Sequence, residues 1–179
     1  MKGGLVMSLK GKKIFILAED LYQELEVWYP LLRLKEEGAE VIVVGSGRAN
    51  QHTSKLGYPV NVDAKAGDLN GADCDALVIP GGYAPDHMRR YPDMIRLVKQ
   101  AHDAGKVVAS ICHGGWMLAS ADILRGRRVT SFFAIRDDLV HAGADFVDEE
   151  VVVDGNIVTS RKPEDLPAFC RAVIKLLKG

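Results

Sequence analysis

Residues 107–115 read VVASICHGG, an apolar run that ends at Cys112 and leads through two glycines into a helix-compatible stretch over residues 116–121. This order predicts a strand, a tight turn and a helix, with a thiol at the turn. The residues two before and two after the cysteine, Ser110 and Gly114, are small, as a nucleophile elbow requires where its two backbones crowd together. A position near a helix N-terminus favours the thiolate. We therefore interpret Cys112 as a reactive nucleophile.

Strand-like and helix-like runs alternate on both sides of this stretch. Strands are predicted over 13–18, 41–45, 76–80 and 107–111, helices over 24–37, 91–104, 136–142 and 166–177, an extended polar excursion or hairpin over 52–63, and a hairpin over 150–159 with its turn at Asp154-Gly155. Such alternation favours an α/β fold in which helices cover both faces of a mostly parallel sheet. We expect a single domain over residues 1–179, with residues 1–11 as a loose N-terminal extension.

Composition narrows the class of protein. The chain has 179 residues, 47% of them hydrophobic, and a net charge of −1, which argues against nucleic acid or an anionic membrane surface as a partner. No apolar run reaches the ~18 residues of a membrane span, and the N-terminus does not resemble a signal peptide, so we expect a cytoplasmic protein. The three cysteines have no metal-ligand spacing, and no metal or other cofactor is implied. We interpret Cys74 and Cys170 as packing residues.

The carboxyl ends of parallel strands meet at one edge of a sheet, where ligands bind. The first strand leads to the acidic residues Glu19, Asp20, Glu24 and Glu26. Glu26 lies one turn before Pro30, and a proline-induced kink could aim its carboxyl group at the thiol. Alternatively, Glu26 only complements the dipole of a first helical turn.

Two further segments supply polar groups at the same edge. The backbone N–H groups of Gly82 and His113 are candidate donors of an oxyanion hole, although Gly81-Gly82 also fits a plain strand-to-helix turn. The His113 side chain follows the nucleophile directly, and adjacent side chains at such an elbow point in different directions, so this imidazole is not an evident base. Asp86 is a candidate acid, but Pro85-Asp86 also fits the start of a helix.

Several segments together match a known pattern: ELEVWYP at 24–30, IPGGYAPD at 79–86, ASICHG at 109–114, residues 130–131 with 135–138, and EVVVDGN at 150–156. On these segments the chain, over about residues 12–177, resembles the PfpI family within the DJ-1/PfpI superfamily, relatives of the class I glutamine amidotransferases. The resemblance implies a flavodoxin-like three-layer sandwich with Cys112 as nucleophile, Glu26 as its partner and oxyanion donors at Gly82 and His113. It also implies a Cys-His-acid arrangement in a homo-oligomer (dimer, trimer or hexamer), with Asp86 completing the site of a neighbouring subunit.

Two departures from the pattern bear on chemistry. Phe132 stands where some relatives carry a tyrosine, so that phenol is absent. Lys162, in Lys162-Pro163-Glu164, stands where amidotransferases use a histidine, and a lysine does not serve as a base at neutral pH without a large drop in its pKa. We therefore discount glutamine hydrolysis coupled to a synthase.

Three functions are compatible with a cysteine nucleophile here. The resemblance favours an enzyme that acts on small reactive carbonyls, as a glyoxalase that converts methylglyoxal to lactate or as a protein deglycase. An intracellular cysteine peptidase or amidase that acts on peptides would use the same nucleophile and oxyanion hole. A non-enzymatic redox sensor or chaperone-like stress protein would use only the oxidation of the thiol.

Overall fold

A computed structural model describes residues 8–178. The helices and strands, in chain order, are β1 (Lys13–Leu17), α1 (Glu24–Glu36), β2 (Glu40–Gly45), β3 (Gln51–Thr53), β4 (Pro59–Asn61), β5 (Ala64–Lys65), β6 (Ala76–Ile79), α2 (Ala84–Met88), α3 (Pro92–Asp103), β7 (Val107–Ile111), α4 (Gly115–Ser120), β8 (Arg128–Val129), α5 (Arg136–His141), β9 (Asp145–Phe146), β10 (Val151–Asp154), β11 (Ile157–Ser160) and α6 (Leu166–Lys178).

The main sheet has the strand order β10-β11-β7-β6-β1-β2-β5. All neighbouring strands in it are parallel except β10, which pairs antiparallel with β11. From β1 the chain adds β2 and β5 toward one edge of the sheet, and from β6 it adds β7 and β11 toward the other edge. The direction in which strands are added therefore reverses between β1 and β6. The carboxyl ends of β1, β6 and β7 therefore border one crevice, the usual position of a ligand site in an open parallel sheet.

Helices flank the sheet in two layers. Helix α1 packs beside α6, whereas α3 packs beside α4. Crossover connections between parallel strands are right-handed. A helix that connects strands toward one edge of the sheet therefore lies on one face, and a helix that connects strands toward the other edge lies on the opposite face. All residues of β6 and β7 are buried, as central strands covered on both sides require. The predicted α/β fold with a mostly parallel sheet is confirmed.

Smaller features differ from the sequence-based expectation. The turn of the last hairpin lies at Gly155-Asn156, one residue later than predicted, because Asp154 still pairs with Ile157. Asp154 is held in the strand by its carboxylate, which accepts a hydrogen bond from the backbone N–H of Arg128 at 2.8 Å. The polar excursion contains a hairpin of β3 and β4.

The N-terminal extension expected over residues 1–11 is described only in part, since residues 1–7 lie outside the described residues. Residues 8–11 form a turn that is attached to the domain, not loose. The Leu9 side chain is fully buried, and its backbone N–H donates to the carbonyl of Glu37 at 2.8 Å. None of the helices within residues 8–178 is long and apolar enough to cross a membrane.

Candidate active site

Cys112 lies directly after β7, at the head of a short turn that leads into α4. Its φ of 60° is in the left-handed region, which costs a non-glycine residue about 1–2 kcal/mol and marks positions held by their surroundings. Gly114 makes the turn possible, because a Cβ there would lie 2.7 Å from the carbonyl oxygen of Ile79 and 2.8 Å from Ser110 Oγ. The local geometry is that of a nucleophile elbow.

Glu26 reaches the thiol from the first turn of α1. The helix begins at the side chain of Gln23, which accepts hydrogen bonds from the backbone N–H groups of Leu25 and Glu26. The Glu26 side chain is fully buried, and its Oε2 accepts a hydrogen bond from Gly81 N–H at 2.6 Å. A Cβ on Gly81 would lie 2.7 Å from both Cys112 Cβ and Glu26 Oε2. The carboxyl group therefore lies beside the thiol.

Burial shifts the pKa of both groups. Burial raises the pKa of Glu26 to about 7, against the lowering effect of Gly81 N–H and of the thiol. Burial, together with the Glu26 carboxylate, raises the pKa of Cys112 to about 12, although the backbone N–H groups of Gly82 and His113 lower it. Position at the elbow alone predicts a thiolate, but the sulfur is desolvated and lies beside an acid, and both effects raise the pKa of the thiol. Above pH 7 the pair as a whole holds one proton.

The His113 imidazole turns back toward the nucleophile, unlike the divergent orientation expected for neighbours at an elbow. Its Nδ1 lies 3.2 Å from Cys112 Sγ. The ring stacks on Phe132, with centroids 5.0 Å apart, and meets the edge of Trp116 at 5.2 Å. Burial, followed by the nearby Lys55, lowers the pKa of His113. A neutral imidazole held between two aromatic rings can accept the thiol proton at Nδ1.

The backbone N–H groups of Gly82 and His113 lower the pKa of the thiol by hydrogen bonding. Gly82 has a φ of 71° and pairs with Tyr22 through an isolated β-bridge. A Cβ at this position would lie 2.5 Å from the carbonyl oxygen of Leu21, so only glycine fits without displacement. Two donors that converge on one point can stabilise an oxyanion formed by attack of the sulfur.

The cleft above the thiol has a volume of about 370 Å³. It includes two residues that the sequence did not single out, Gln23 and Lys55, together with Pro163 of the Lys162-Pro163-Glu164 segment, the predicted Glu26, Gly82, Cys112 and His113, and the aromatic Tyr83 and Phe132. Lys55 comes from the β3–β4 hairpin, which carries no recognisable motif, and Pro163 comes from the turn before α6.

Asp86 lies outside this cleft. It is on α2, and its half-exposed carboxylate forms an ion pair with Arg90, one helical turn later. Within one chain, the structure does not bring Asp86 to His113. The expected role of Asp86 therefore depends on a second copy of the chain.

A second polar cluster lies after β1. His52 is fully buried, with Nδ1 at 2.8 Å from Glu19 Oε1 and 3.2 Å from Asp20 Oδ1. The three side chains are close enough together to hold a metal ion, but Arg48 forms ion pairs with both carboxylates. We interpret the cluster as an ion-pair network that attaches the β3–β4 hairpin to the end of β1. The sequence indicated the acids but not His52, which is far away along the chain.

Comparisons with known proteins agree with this geometry. The sequence profile described as the DJ-1/PfpI family matches residues 12–176. The chain is 49% identical to a deglycase from Pyrococcus abyssi over 166 residues, covering 93% of this chain and 99% of that protein. It is 40% identical to general stress protein 18 of Bacillus subtilis over 170 residues, 94% of this chain and 99% of that protein.

Solved structures give the same result. A two-domain protein from Anabaena variabilis, which contains DJ-1/ThiJ/PfpI-like and ferritin-like domains, superposes with a TM-score of 0.91 at 43% identity. The match covers 93% of this chain, and the chain spans 48% of that longer protein.

Proposed function

The chain belongs to the DJ-1/PfpI family, and from this premise we propose that it is a cysteine-dependent stress-protection enzyme that acts on reactive carbonyls. The substrate is either free methylglyoxal, converted to lactate, or the adduct of such an aldehyde with a protein amine or thiol. One observation carries the proposal: Cys112, a carboxyl group with a pKa of about 7 and two converging N–H donors meet in one cleft. We place the reaction in the cytoplasm, where reducing conditions keep the thiol free.

The reaction begins with addition of the Cys112 sulfur to the aldehyde carbon. The thiol proton passes to His113 Nδ1, which lies 3.2 Å away, and the oxyanion accepts hydrogen bonds from Gly82 and His113 N–H before it takes up a proton. The product is a hemithioacetal. The thiol loses its proton as the bond from sulfur to the aldehyde carbon forms. A high pKa of the free thiol therefore does not prevent attack.

Glu26 then performs the proton transfer. The hydrogen on the former aldehyde carbon leaves as a proton and is returned to the adjacent carbonyl carbon, which converts the hemithioacetal into a lactoyl thioester. A carboxyl group with a pKa of about 7 is suited to both steps at neutral pH. Water finally cleaves the bond between sulfur and the acyl carbon, releasing lactate and restoring the thiol. The sum is methylglyoxal plus water giving lactic acid.

Deglycation uses the same nucleophile on a different substrate. In an aldehyde adduct, the sulfur displaces the protein amine or thiol, which leaves with a proton, and the resulting hemithioacetal follows the steps above. The two activities differ only in whether the enzyme accepts the adduct directly.

The decisive experiment measures lactate formed from methylglyoxal by the wild type, Cys112→Ser and Cys170→Ala at equal concentration. Cys170 is a matched control because it is also buried, with a pKa raised to about 12 by burial. We expect turnover in the wild type and in the control and none in Cys112→Ser. Absence of lactate from the wild type, or its persistence in Cys112→Ser, would refute the proposal.

A second assay separates the two substrates. A preformed adduct of methylglyoxal with N-acetylcysteine is incubated with enzyme while its spontaneous release of free aldehyde is measured in parallel. Adduct loss faster than spontaneous release indicates a deglycase. Loss that never exceeds the spontaneous rate indicates that the enzyme consumes only free aldehyde.

A peptidase is the alternative, and one contact favours it. The 3.2 Å separation of Cys112 Sγ and His113 Nδ1 is that of a cysteine–histidine pair, which can form an acyl-enzyme and protonate an amine leaving group. Cleavage of an unmodified peptide that is lost in Cys112→Ser would support it. We further propose that the enzyme is a homo-oligomer in which Asp86 orients His113 of a neighbouring copy.

A further inference from the structure

A second cleft, of about 620 Å³, opens beside the cysteine cleft. Phe132 lines both, and consecutive residues divide between them: Pro163 borders the cysteine cleft and Lys162 borders the second. The walls include three aromatic rings and three cationic side chains, Phe132, Phe133, Phe146, Arg136, Arg161 and Lys162. We call this space the cationic cleft. The shared Phe132 places the cationic cleft next to the cysteine cleft.

Sheet topology explains why cations lie next to the nucleophile. Strands β7 and β11 are parallel neighbours, and Ile111 at the end of β7 is in register with Ser160 at the end of β11. The residues that follow each strand therefore emerge at the same edge of the sheet. One strand is followed by Cys112 and the other by Arg161 and Lys162.

The charges of the cationic cleft are only partly compensated. Arg161 donates to Asp165 at 2.9 Å and to Asp148 at 2.8 Å, so its guanidinium is already paired. Arg136 and Lys162 form no ion pair with any residue from 8 to 178. Asp148 is the acid that lines the cleft, and it is engaged by Arg161. Two positive charges are thus left for a ligand.

An aromatic ring orients one of these two charges. The Arg136 guanidinium lies over the Phe146 ring, 5.8 Å from its centroid, a cation–π contact that orients the group and leaves its N–H donors unused by other side chains. Phe133 is 77% exposed although it is large and apolar. Arg136 and Lys162 are exposed as well, so both cations and the Phe133 ring are accessible to a ligand.

We propose that the cationic cleft is an anion subsite of the active site and that the preferred substrates are reactive carbonyls carrying a carboxylate or phosphate group. The aldehyde lies at Cys112, and the anionic group is bound by Arg136 and Lys162. The inference rests on the proposed carbonyl chemistry, but anion binding is measurable without turnover. Catalytic steps are unchanged, since the subsite only binds and orients.

The kinetic test uses two substrates with the same reactive end. Methylglyoxal is neutral, whereas 4,5-dioxopentanoate carries a carboxylate beyond the same α-oxoaldehyde. We expect the wild type to prefer the anionic substrate. In the Arg136→Gln/Lys162→Gln double variant, the KM for 4,5-dioxopentanoate should rise about tenfold, which is the effect of losing a charge-assisted hydrogen bond. The KM for methylglyoxal stays within about twofold, and the preference falls as salt is added.

The matched control is Arg125→Gln, which removes a positive charge at a side chain that is 80% exposed and outside both clefts. We expect it to change neither KM. If the control raises the KM for 4,5-dioxopentanoate as much as the double variant does, net charge and not the cleft is responsible, and the proposal is wrong. Equal KM values for the two substrates in the wild type also overturn it.

Binding is measured separately in Cys112→Ser by NMR, following the backbone amide signals of Phe133 and Lys162 during titration with inorganic phosphate and with propionate. Saturable shifts that disappear in the double variant support the subsite, and their absence with both anions refutes it. Tighter binding of phosphate indicates phosphorylated substrates, and tighter binding of propionate indicates carboxylates. If anions bind but neither aldehyde is turned over, the carbonyl reaction fails while the anion site holds.

Discussion

Glu26 and Cys112 meet across Gly81, whose missing side chain is the space that both groups fill. Glu26 Oε2 accepts a hydrogen bond from Gly81 N–H, and a Cβ on Gly81 would lie 2.9 Å from Cys112 Sγ. The acid comes from α1 and the thiol from the end of β7. The absence of a side chain at Gly81 therefore allows groups from two distant elements to lie close together.

Adding a methyl group at that point tests the contact. We expect Gly81→Ala to lower kcat/KM at least about tenfold, because the new Cβ would collide with Glu26 and Cys112 and separate them. The control is Gly67→Ala, where a Cβ meets only the end of the Asp93 side chain at 3.1 Å. Far-UV circular dichroism checks that both variants fold. Unchanged activity in Gly81→Ala would mean that the acid and thiol need not touch.

Removing the acid changes how the thiol titrates. Burial raises the pKa of Glu26 to about 7, and burial together with the negative Glu26 carboxylate raises the pKa of Cys112 to about 12. We expect Glu26→Gln to replace the two steps by one thiol ionisation below pH 12, because the neighbouring charge is gone. The rate of alkylation of Cys112 by iodoacetamide against pH measures this directly. A profile identical to the wild type would contradict the coupling.

Activity should follow the same pair. We expect kcat/KM of the wild type to rise through about pH 7 as the pair loses its first proton, and Glu26→Gln to lose most of its turnover even where its thiolate is more abundant. Glu26→Gln keeps the size of the side chain and its acceptor for Gly81 N–H. If this variant keeps its turnover, proton transfer belongs to another group.

The His52 cluster predicts a pH-dependent stability. Burial lowers the pKa of His52, but hydrogen bonds to Glu19 and Asp20 outweigh it and raise the pKa above 6.5. Burial raises the pKa of both acids, but for Glu19 the bonds to His52 and Ser46 prevail, and for Asp20 those to Thr53, His52 and Arg48, so both values fall below the usual range. Stabilisation by His52 is complete below pH 6.5 and lost as pH rises through its raised pKa. Stabilisation by the acids is complete above about pH 4.5 and lost on acidification.

We therefore expect His52→Gln to lower the free energy of unfolding by about 2 kcal/mol between pH 5 and 6.5, and by less at pH 9. Urea unfolding within the range of pH 5 to 6.5 and at pH 9 measures the difference in the free energy of unfolding between variant and wild type. His141→Gln serves as the control, because His141 is exposed at the end of α5. A difference from the wild type that is the same at both pH values would exclude the charged pair as its cause.

Complementation tests the proposed role of Asp86. We expect Asp86→Asn and Cys112→Ser each to lose activity, and their mixture, unfolded and refolded together, to regain more than the sum of the two. Mixed oligomers would contain sites with an intact Cys112 on one copy and an intact Asp86 on the next. Size-exclusion chromatography establishes that oligomers form. A mixture no more active than its parts would confine Asp86 to its ion pair with Arg90.

The sequence predicted those features that depend on local chemistry. The elbow at Cys112 requires small residues at fixed offsets, and alternating apolar runs indicate a parallel sheet, so both could be read from the chain. The approach of Glu26 to Cys112 was implied by the family resemblance but not by residue spacing, which left open a residue that only complements the helix dipole. Contacts across long separations, such as His52 with Glu19, leave no periodic signal, and strands of two residues such as β8 and β9 are too short to show one.

The burial of Cys112 has a further consequence for an enzyme of this kind. A permanently ionised sulfur would react with every electrophile and oxidant that reached it, and its own substrates belong to that class. Cys112 is only 7% exposed, and burial together with the Glu26 carboxylate raises the pKa of its thiol, which disfavours the ionised form before a carbonyl carbon arrives. The low reactivity of the buried thiol thus protects the enzyme from chemical inactivation, at the cost of a less reactive nucleophile.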